Sequence, residues 1–243
     1  VLGYRARMNG HHALLFALQT QGFALIPADQ QVGSIDTLSP SWQAFAGSWD
    51  DLGVDTHMAD LGRYRRRRHA VFRSAAGQLW QREPDQAHFQ TLNYNPLNGG
   101  VERWFEPVLP SVAENRVLRD LLACGRQVFD ARMGQARNWR VEVHQFRIEA
   151  RPDAPGLPTP EGAHRDGVDF VMVVMIRRQN IRSGTTQIFS AAGALLGEFT
   201  LSAPVDMAWV DDHRVWHGVT PVEPVDPSQP AWRDVLVLTW TAR

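Results

Sequence analysis

From Trp139 to the end of the chain the apolar residues recur at every second position in short runs, and this period commits the C-terminal part of the molecule to strands. The runs are 139–150, 170–176, 185–190, 197–201, 207–210, 215–219 and 235–240, divided by turn-forming clusters. Such spacing is that of an antiparallel sandwich or jelly roll. The residues before Trp139 read differently. Residues 9–21 put Leu14, Leu15 and Leu18 on an amphipathic helix that Asn9 can cap and Gly22 ends, and Phe23–Ile26 reads as a short buried strand stopped by Pro27. Residues 28–60 mix helical fragments with turn signals at Ser39-Pro40, Gly47 and Gly53, and Trp42, Phe45 and Trp49 read as core. The clearest helix runs from Ser111 to Met133, with Ser111 as cap, Glu114 in capping-box register and Gly134 as its end. A mainly β (α+β) chain follows, a jelly-roll core with N-terminal helices packed on it. At 243 residues one domain, 1–243, is expected, its helical and strand part at 1–138 and its core at 139–243.

Several chemistries are excluded by what the chain lacks. Cys124 is the only cysteine, so there is no internal disulfide and no thiolate-rich zinc or iron-sulfur site, which suits a reducing, cytoplasmic setting. All 25 residues of the Lys+Arg count are arginine, which removes Schiff-base chemistry and the phosphate-loop lysine. The Gly99-Gly100 pair, following the Asn95-Pro96 and Asn98 turn signals, therefore reads as a tight turn. Net charge is -1, no apolar run is long enough to span a bilayer, and no signal peptide opens the chain. Neither nucleic acid nor membrane is expected as a partner, and the oligomeric state is left open. The one basic run, Gly62 to Phe72, fits a strand with Arg63, Arg65, Arg67 and His69 on one face and Tyr64, Arg66 and Arg68 on the other. One arginine row can then look into a cavity for an anionic group, or the whole strand can be solvated.

The stretch 161–170 carries His164 and Asp166 two residues apart, on one side of an extended segment, just before an apolar run. With 9 His and 26 acids, chance supplies about one such His-x-acid, so the pair needs company. A second histidine arriving from a later strand would complete a face of two imidazoles and one carboxylate, the donor set of a ferrous ion. His213 and His217 are the candidates, and His217 is preferred because it alternates with Val215 and Val219, whereas His213 sits in the polar turn Asp211-Asp212-His213. After His217 the chain returns through a proline-rich loop to Arg233, at the mouth of an apolar strand, where a guanidinium fork suits a carboxylate. A second proline-rich stretch, 153–161, precedes the His-x-Asp as a lid or a connector.

The order His164-x-Asp166, His217, Arg233 resembles that of the iron(II)/2-oxoglutarate-dependent dioxygenases on a double-stranded β-helix. More narrowly it resembles their bacterial subfamily of the free L-isoleucine 4-hydroxylase and biofilm-stress type. The segments 62–68, 94–100, 143–147, 164–167, 215–221 and 233–236 carry the resemblance, the last three specifically. It implies that His164, Asp166 and His217 bind iron, that Arg233 binds the distal carboxylate of 2-oxoglutarate, and that Thr186 helps hold this cosubstrate. Molecular oxygen would be the third reactant. Phe146 and Trp216 are positions where variation is expected. The implied activity is hydroxylation of a small carboxylate-bearing substrate, with a free aliphatic L-amino acid the first candidate. The alternatives are an N-acylated, peptide or nucleobase substrate at the same centre, or a metal-free binding module acting through residues 63–68.

Overall fold

The computed structural model describes residues 10–30, 35–95, 97 and 99–243. In chain order its elements are helix α1 (Gly10–Thr20), strand β1 (Phe23–Ile26), helix α2 (Pro40–Gly47), strands β2 (Arg65–Ser74) and β3 (Gln81–Arg82), and helices α3 (Pro110–Ala113) and α4 (Arg116–Met133). Strands β4 (Trp139–Ala150), β5 (Phe170–Gln179), β6 (Ile181–Ser183), β7 (Thr186–Phe189), β8 (Leu195–Phe199), β9 (Met207–Asp211), β10 (Trp216–Val219), β11 (Val222–Pro224) and β12 (Ala231–Ala242) follow. The period of two after Trp139 does give antiparallel strands. Seven strands pair in the order β1-β9-β5-β12-β4-β2-β3, three as β10-β7-β8 and two as β11-β6. Ile188 of the three-stranded sheet packs on Val171 and Val210 of the seven-stranded one, giving the two layers of a jelly roll.

Strand β12 lies between β5 and β4, so its alternation assigns side chains to two different environments. Leu236, Leu238 and Trp240 join Val141, Val143 and Met172 against Leu118, Leu121, Leu122 and Phe129 of α4. Each such side chain contributes about 1.5–3 kcal/mol on burial, which is what holds the helix on the sheet. Gly125 sits in mid-helix where a Cβ would overlap the Trp240 ring, so close approach accounts for a residue that otherwise costs about 1 kcal/mol of helix propensity. The other face, Arg233, Val235, Val237 and Thr239, stands beside Ile148, Phe146, His144 and Glu142 of β4. In turn β4 pairs with β2, which brings Arg65, Arg67 and His69 next to Ile148, Phe146 and His144.

Two local expectations are corrected. The helix expected from Ser111 is split: Pro110–Ala113 forms one turn, and α4 starts after Asn115, whose Oδ1 accepts from Val117 N at 2.8 Å. The Asn side chain, competing with the backbone of the preceding turn, takes the cap from Ser111. Ser39-Pro40 opens a helix where a turn was expected, with Ser39 Oγ accepting from Trp42 N at 3.2 Å and Pro40 in the first turn. Gly134, in the left-handed region at φ 73°, closes α4 as expected. The cap expected from Asn9, and Pro96 and Asn98 of the expected turn, lie outside the described residues.

Candidate metal centre

The segment between β4 and β5 carries His164 and Asp166, and β10 carries His217. His164 N donates to His217 O and His217 N to His164 O, both at 2.9 Å, so the backbone sets the two residues directly opposite each other. Their ring centroids are 4.6 Å apart. Asp166 reaches between them, Oδ1 lying 3.7 Å from His164 Nε2 and Oδ2 3.4 Å from His217 Nε2. One ligand atom from each of the three lies within 4.8 Å of the others. His213, the other candidate, faces outward on Asp169 at 3.0 Å.

What steadies this loop is a residue that had looked like part of a polar turn. The buried Asp212 carboxylate accepts from the backbone N–H of Asp166 (3.0 Å), Gly167 (2.8 Å) and Val168 (3.2 Å). Gly167 has φ 78° with the Tyr94 ring packed where a Cβ would stand, so both conformation and space call for glycine. The Nδ1 of His164 lies 3.1 Å from Gly162 O, a carbonyl that can only accept. Nδ1 therefore carries the proton of the neutral ring, whose Nε2 lone pair is turned toward Asp166 and His217. Burial works against the charged form of His164, yet the Asp166 carboxylate lifts its pKa to about 9.

These groups open onto a cavity of about 330 Å³ walled by the inner face of the main sheet. Arg233 is 2% exposed, and its Nε and Nη1 have no hydrogen-bond partner among the described residues. Burial, with Arg178 nearby, pushes its pKa down to about 10, the mark of a cation that lacks its anion. Thr186 is buried on β7 opposite Val219, which lines the cavity where Thr186 does not. Pro158, Thr159 and Glu161 bring the proline-rich stretch into the wall. Arg65 and Arg67 are the arginine row that faces inward. In the opposite row Arg66 pairs with Glu149 at 2.5 Å and Arg68 with Asp51 at 3.1 Å.

A second imidazole cluster was not foreseen. Glu142 Oε2 accepts from His69 Nε2 at 2.8 Å and His88 Nδ1 at 2.6 Å, and His144 Nε2 stands 3.8 Å away. Arg140 donates to Oε1 at 2.6 Å, and Arg67 Nη2 to His144 Nδ1 at 2.8 Å. His69, Glu142 and His144 occupy alternate strand positions, a signal the sequence does carry, but the β2–β4 register that joins them is invisible before folding.

A family model described as 2OG-Fe dioxygenase matches residues 46–239. The chain belongs to this family. It is an Fe(II)/2-oxoglutarate-dependent dioxygenase, of a family that requires ferrous iron, 2-oxoglutarate and oxygen. Over 155 residues it is 31% identical to the 3(1)-hydroxy-L-isoleucine 4-dioxygenase of Pantoea ananatis (strain AJ13355), a match that spans 62% of each chain and thus less than two thirds of that enzyme. The crystal structure of a bsmA homolog from Methylobium petroleophilum PM1 is 36% identical with a TM-score of 0.81, covering 99% of this chain and 97% of that one. IDO from Bacillus thuringiensis shares the fold at a TM-score of 0.79 and 15% identity, with 100% of each chain covered. The dioxygenase's residues fit what the family needs: two imidazoles and a carboxylate converge as ferrous ligands do, and a buried, unpartnered guanidinium stands in the same cavity. Among the described residues no helix is long and apolar enough to cross a membrane.

Proposed function

We propose that His164, Asp166 and His217 bind the ferrous ion, that Arg233 takes the distal carboxylate of 2-oxoglutarate, and that Thr186, beside Val219, supports the cosubstrate's site. The enzyme then hydroxylates a small carboxylate-bearing substrate, a free aliphatic L-amino acid being the first candidate. The observation that carries this reading is a second set of anion-seeking guanidiniums in the same cavity. Arg67 is buried with its nearest carboxylate, Asp55, 3.7 Å away and already held by Arg65 at 2.7 Å. Arg103 is 2% exposed and has no ion pair among the described residues; its Nη2 donates to Gln90 at 2.9 Å. The Nε of each is buried without a partner, and burial together with Arg65 lowers both pKa values. Two buried cations in a small pocket, Arg103 with no ion pair among the described residues and Arg67 with only a long, shared one, call for an anion besides the cosubstrate.

Val171, Val173, Val235, Val237 and Phe146 supply an apolar wall suited to an aliphatic chain. The iron centre, once loaded with cosubstrate and oxygen, supplies oxidation of a C–H bond to C–OH, with succinate and carbon dioxide as coproducts. The chain's own part is to hold His164 in one tautomer, to hold the loop through Asp212, and to fix the two carboxylates at separate guanidiniums. The Pantoea relative is named for acting on a hydroxylated isoleucine, in keeping with an amino-acid substrate. Arg66 and Arg68 are engaged by acids of this chain, which supports a small molecule over nucleic acid as partner. Residues 1–243 are read as one domain, since β1, β2 and β3 complete the sheet of the C-terminal core. A reducing, cytoplasmic location suits the ferrous ion. The test is succinate formation from 2-oxoglutarate with Fe(II) across an amino-acid panel, with product mass read in parallel. Wild type should gain one oxygen on a substrate, and His164→Ala and Asp166→Ala should not; equal turnover in all three sinks the proposal.

A further inference from the structure

An amino-acid substrate brings an ammonium group as well as a carboxylate, and three acids line the cavity: Asp166, Glu142 and Glu161. Asp166 is turned to the two histidines, and Glu142 is already served by His69, His88 and Arg140. Glu161 differs from both. Its side chain is 8% exposed, and its Oε2 is buried with no hydrogen-bond partner among the described residues. Its Oε1 stands 3.5 Å from His164 Nδ1, an ion-pair distance while that ring is charged; once His164 is a neutral ligand its Nδ1–H is directed to Gly162 O, and Glu161 keeps a carboxylate with no committed donor among the described residues. A buried carboxylate whose neighbouring imidazole has been neutralised by a metal is costly, and a ligand cation would complete it.

We propose that Glu161 receives the ammonium group of the substrate while Arg67 and Arg103 receive its carboxylate, so that the pocket reads both charges of an α-amino acid. This rests on the carboxylate-substrate reading above and adds to it the group that selects a free amine. Glu161, Arg67 and Arg103 line the same cavity. A deaminated acid or an N-acylated amino acid would leave Glu161 buried without its cation, and a site built to pair a polar group rejects analogues that lack it.

The competing role for Glu161 is to steady His164, as carboxylates behind metal ligands do. Anaerobic calorimetry separates the two. Wild type and Glu161→Gln are loaded with Fe(II) and 2-oxoglutarate, each loading step being titrated, and then receive L-isoleucine, N-acetyl-L-isoleucine or 3-methylpentanoate. Wild type is expected to bind L-isoleucine at least about ten-fold more tightly than either analogue. Glu161→Gln should erase that preference while iron and 2-oxoglutarate affinities stay within about two-fold. A preference that survives in Glu161→Gln overturns the proposal, as does a variant that loses iron affinity and weakens all three ligands alike. A wild type that takes up iron and 2-oxoglutarate without favouring the free amino acid overturns the Glu161 assignment and leaves the carboxylate reading standing. A wild type that binds neither iron nor 2-oxoglutarate overturns both.

Discussion

Two groups of imidazoles and carboxylate stand at the cavity, 164/166/217 and 69/88/142/144, all but His69 in its wall, and in each the potential ligand atoms lie within 4.8 Å of one another. Their hydrogen bonds set them apart. Behind His164 stands a carbonyl, Gly162 O; behind His217, whose Nδ1 has no hydrogen-bond partner among the described residues, the Asp212 carboxylate lies 3.9 Å away, so no donor stands behind either ring and each can turn a lone pair forward. Behind His144 stands Arg67, a group with no acceptor at all. The Nδ1 of His144 must therefore accept, Nε2 must carry the proton, and the ring has no lone pair left for a metal. Burial, then Arg67, keeps His144 in the neutral form. Residue type and proximity are thus shared by both groups, and the polarity of the atoms behind the rings decides which can take a cation. The first group has the polarity of the ligand set proposed above; the second is a hydrogen-bond hub around one carboxylate.

The sharpest way to break this contrast is to count metal. Anaerobic titration should give one tightly bound Fe(II) per chain, and His217→Ala should lose it by more than about 100-fold, the upper range for changes one shell further out. His88→Ala should keep that ion with its affinity little changed. A second tight equivalent in wild type that vanishes in His88→Ala would make the hub a metal site and refute the tautomer argument.

A second test uses the guanidinium that belongs to each group. Arg233, whose Nε and Nη1 have no hydrogen-bond partner among the described residues, shares the cavity wall with the proposed ligands, whereas Arg67 is tied to the hub through His144. Arg233→Met should raise KM for 2-oxoglutarate by about 100-fold and leave substrate affinity largely intact; Arg67→Met should raise KM for the substrate by about 10-fold or more and spare the cosubstrate. The apoprotein of Arg233→Met should also melt at a higher temperature than wild type, because an unpaired buried charge has been removed. If both variants weaken the same ligand, the two anion positions are not separate.

How far the contrast could be read before folding depends on the distance over which each part is organised. His164 and Asp166 declare themselves through an i, i+2 pattern, His217 through its alternation with Val215 and Val219, and Arg233 through its place at a strand mouth. All of these are local. The hub needs the pairing of His69 with His144 across β2 and β4, plus His88 from a loop that gives no periodic signal. Asp212 lay inside the turn that had disqualified His213, and only the folded loop shows its carboxylate meeting three successive N–H groups. Arg67 shows a mixture of both: its place in one row with Arg65 is legible from the strand period, but that this row faces inward, and its partner, are not. Glu161 had only its nearness to His164 to recommend it, since burial without a donor is a property of the folded cavity.

The smallest expected effect separates the groups by the sign of their pH dependence in metal-free protein. At His164, burial opposes the charge, but Asp166 raises the pKa to about 9, above the ordinary value of 6.5. Its stabilisation is fully present below about pH 6.5 and is lost as pH rises through about 9. In the hub the shifts run the other way: burial lowers His69, and burial with Arg67 lowers His144, from the same 6.5. The unfolded chain then binds protons that the folded hub refuses, so stability falls as pH drops below about 6.5. Glu142 adds to the acid side. Burial alone would raise its pKa, but His69 and His88 hold it well below the usual carboxylate range, so its contribution declines below about pH 4.5. Urea unfolding of the chelator-treated protein should therefore show a maximum near neutrality, with slopes of up to about 1.4 kcal/mol per pH unit for each titrating group. His164→Gln should flatten the alkaline limb and leave the acid limb between about pH 6.5 and 4.5, and His69→Gln should do the reverse. A variant in either group that moves both limbs would mean that the two networks titrate as one, and the separation drawn from their hydrogen bonds would fail.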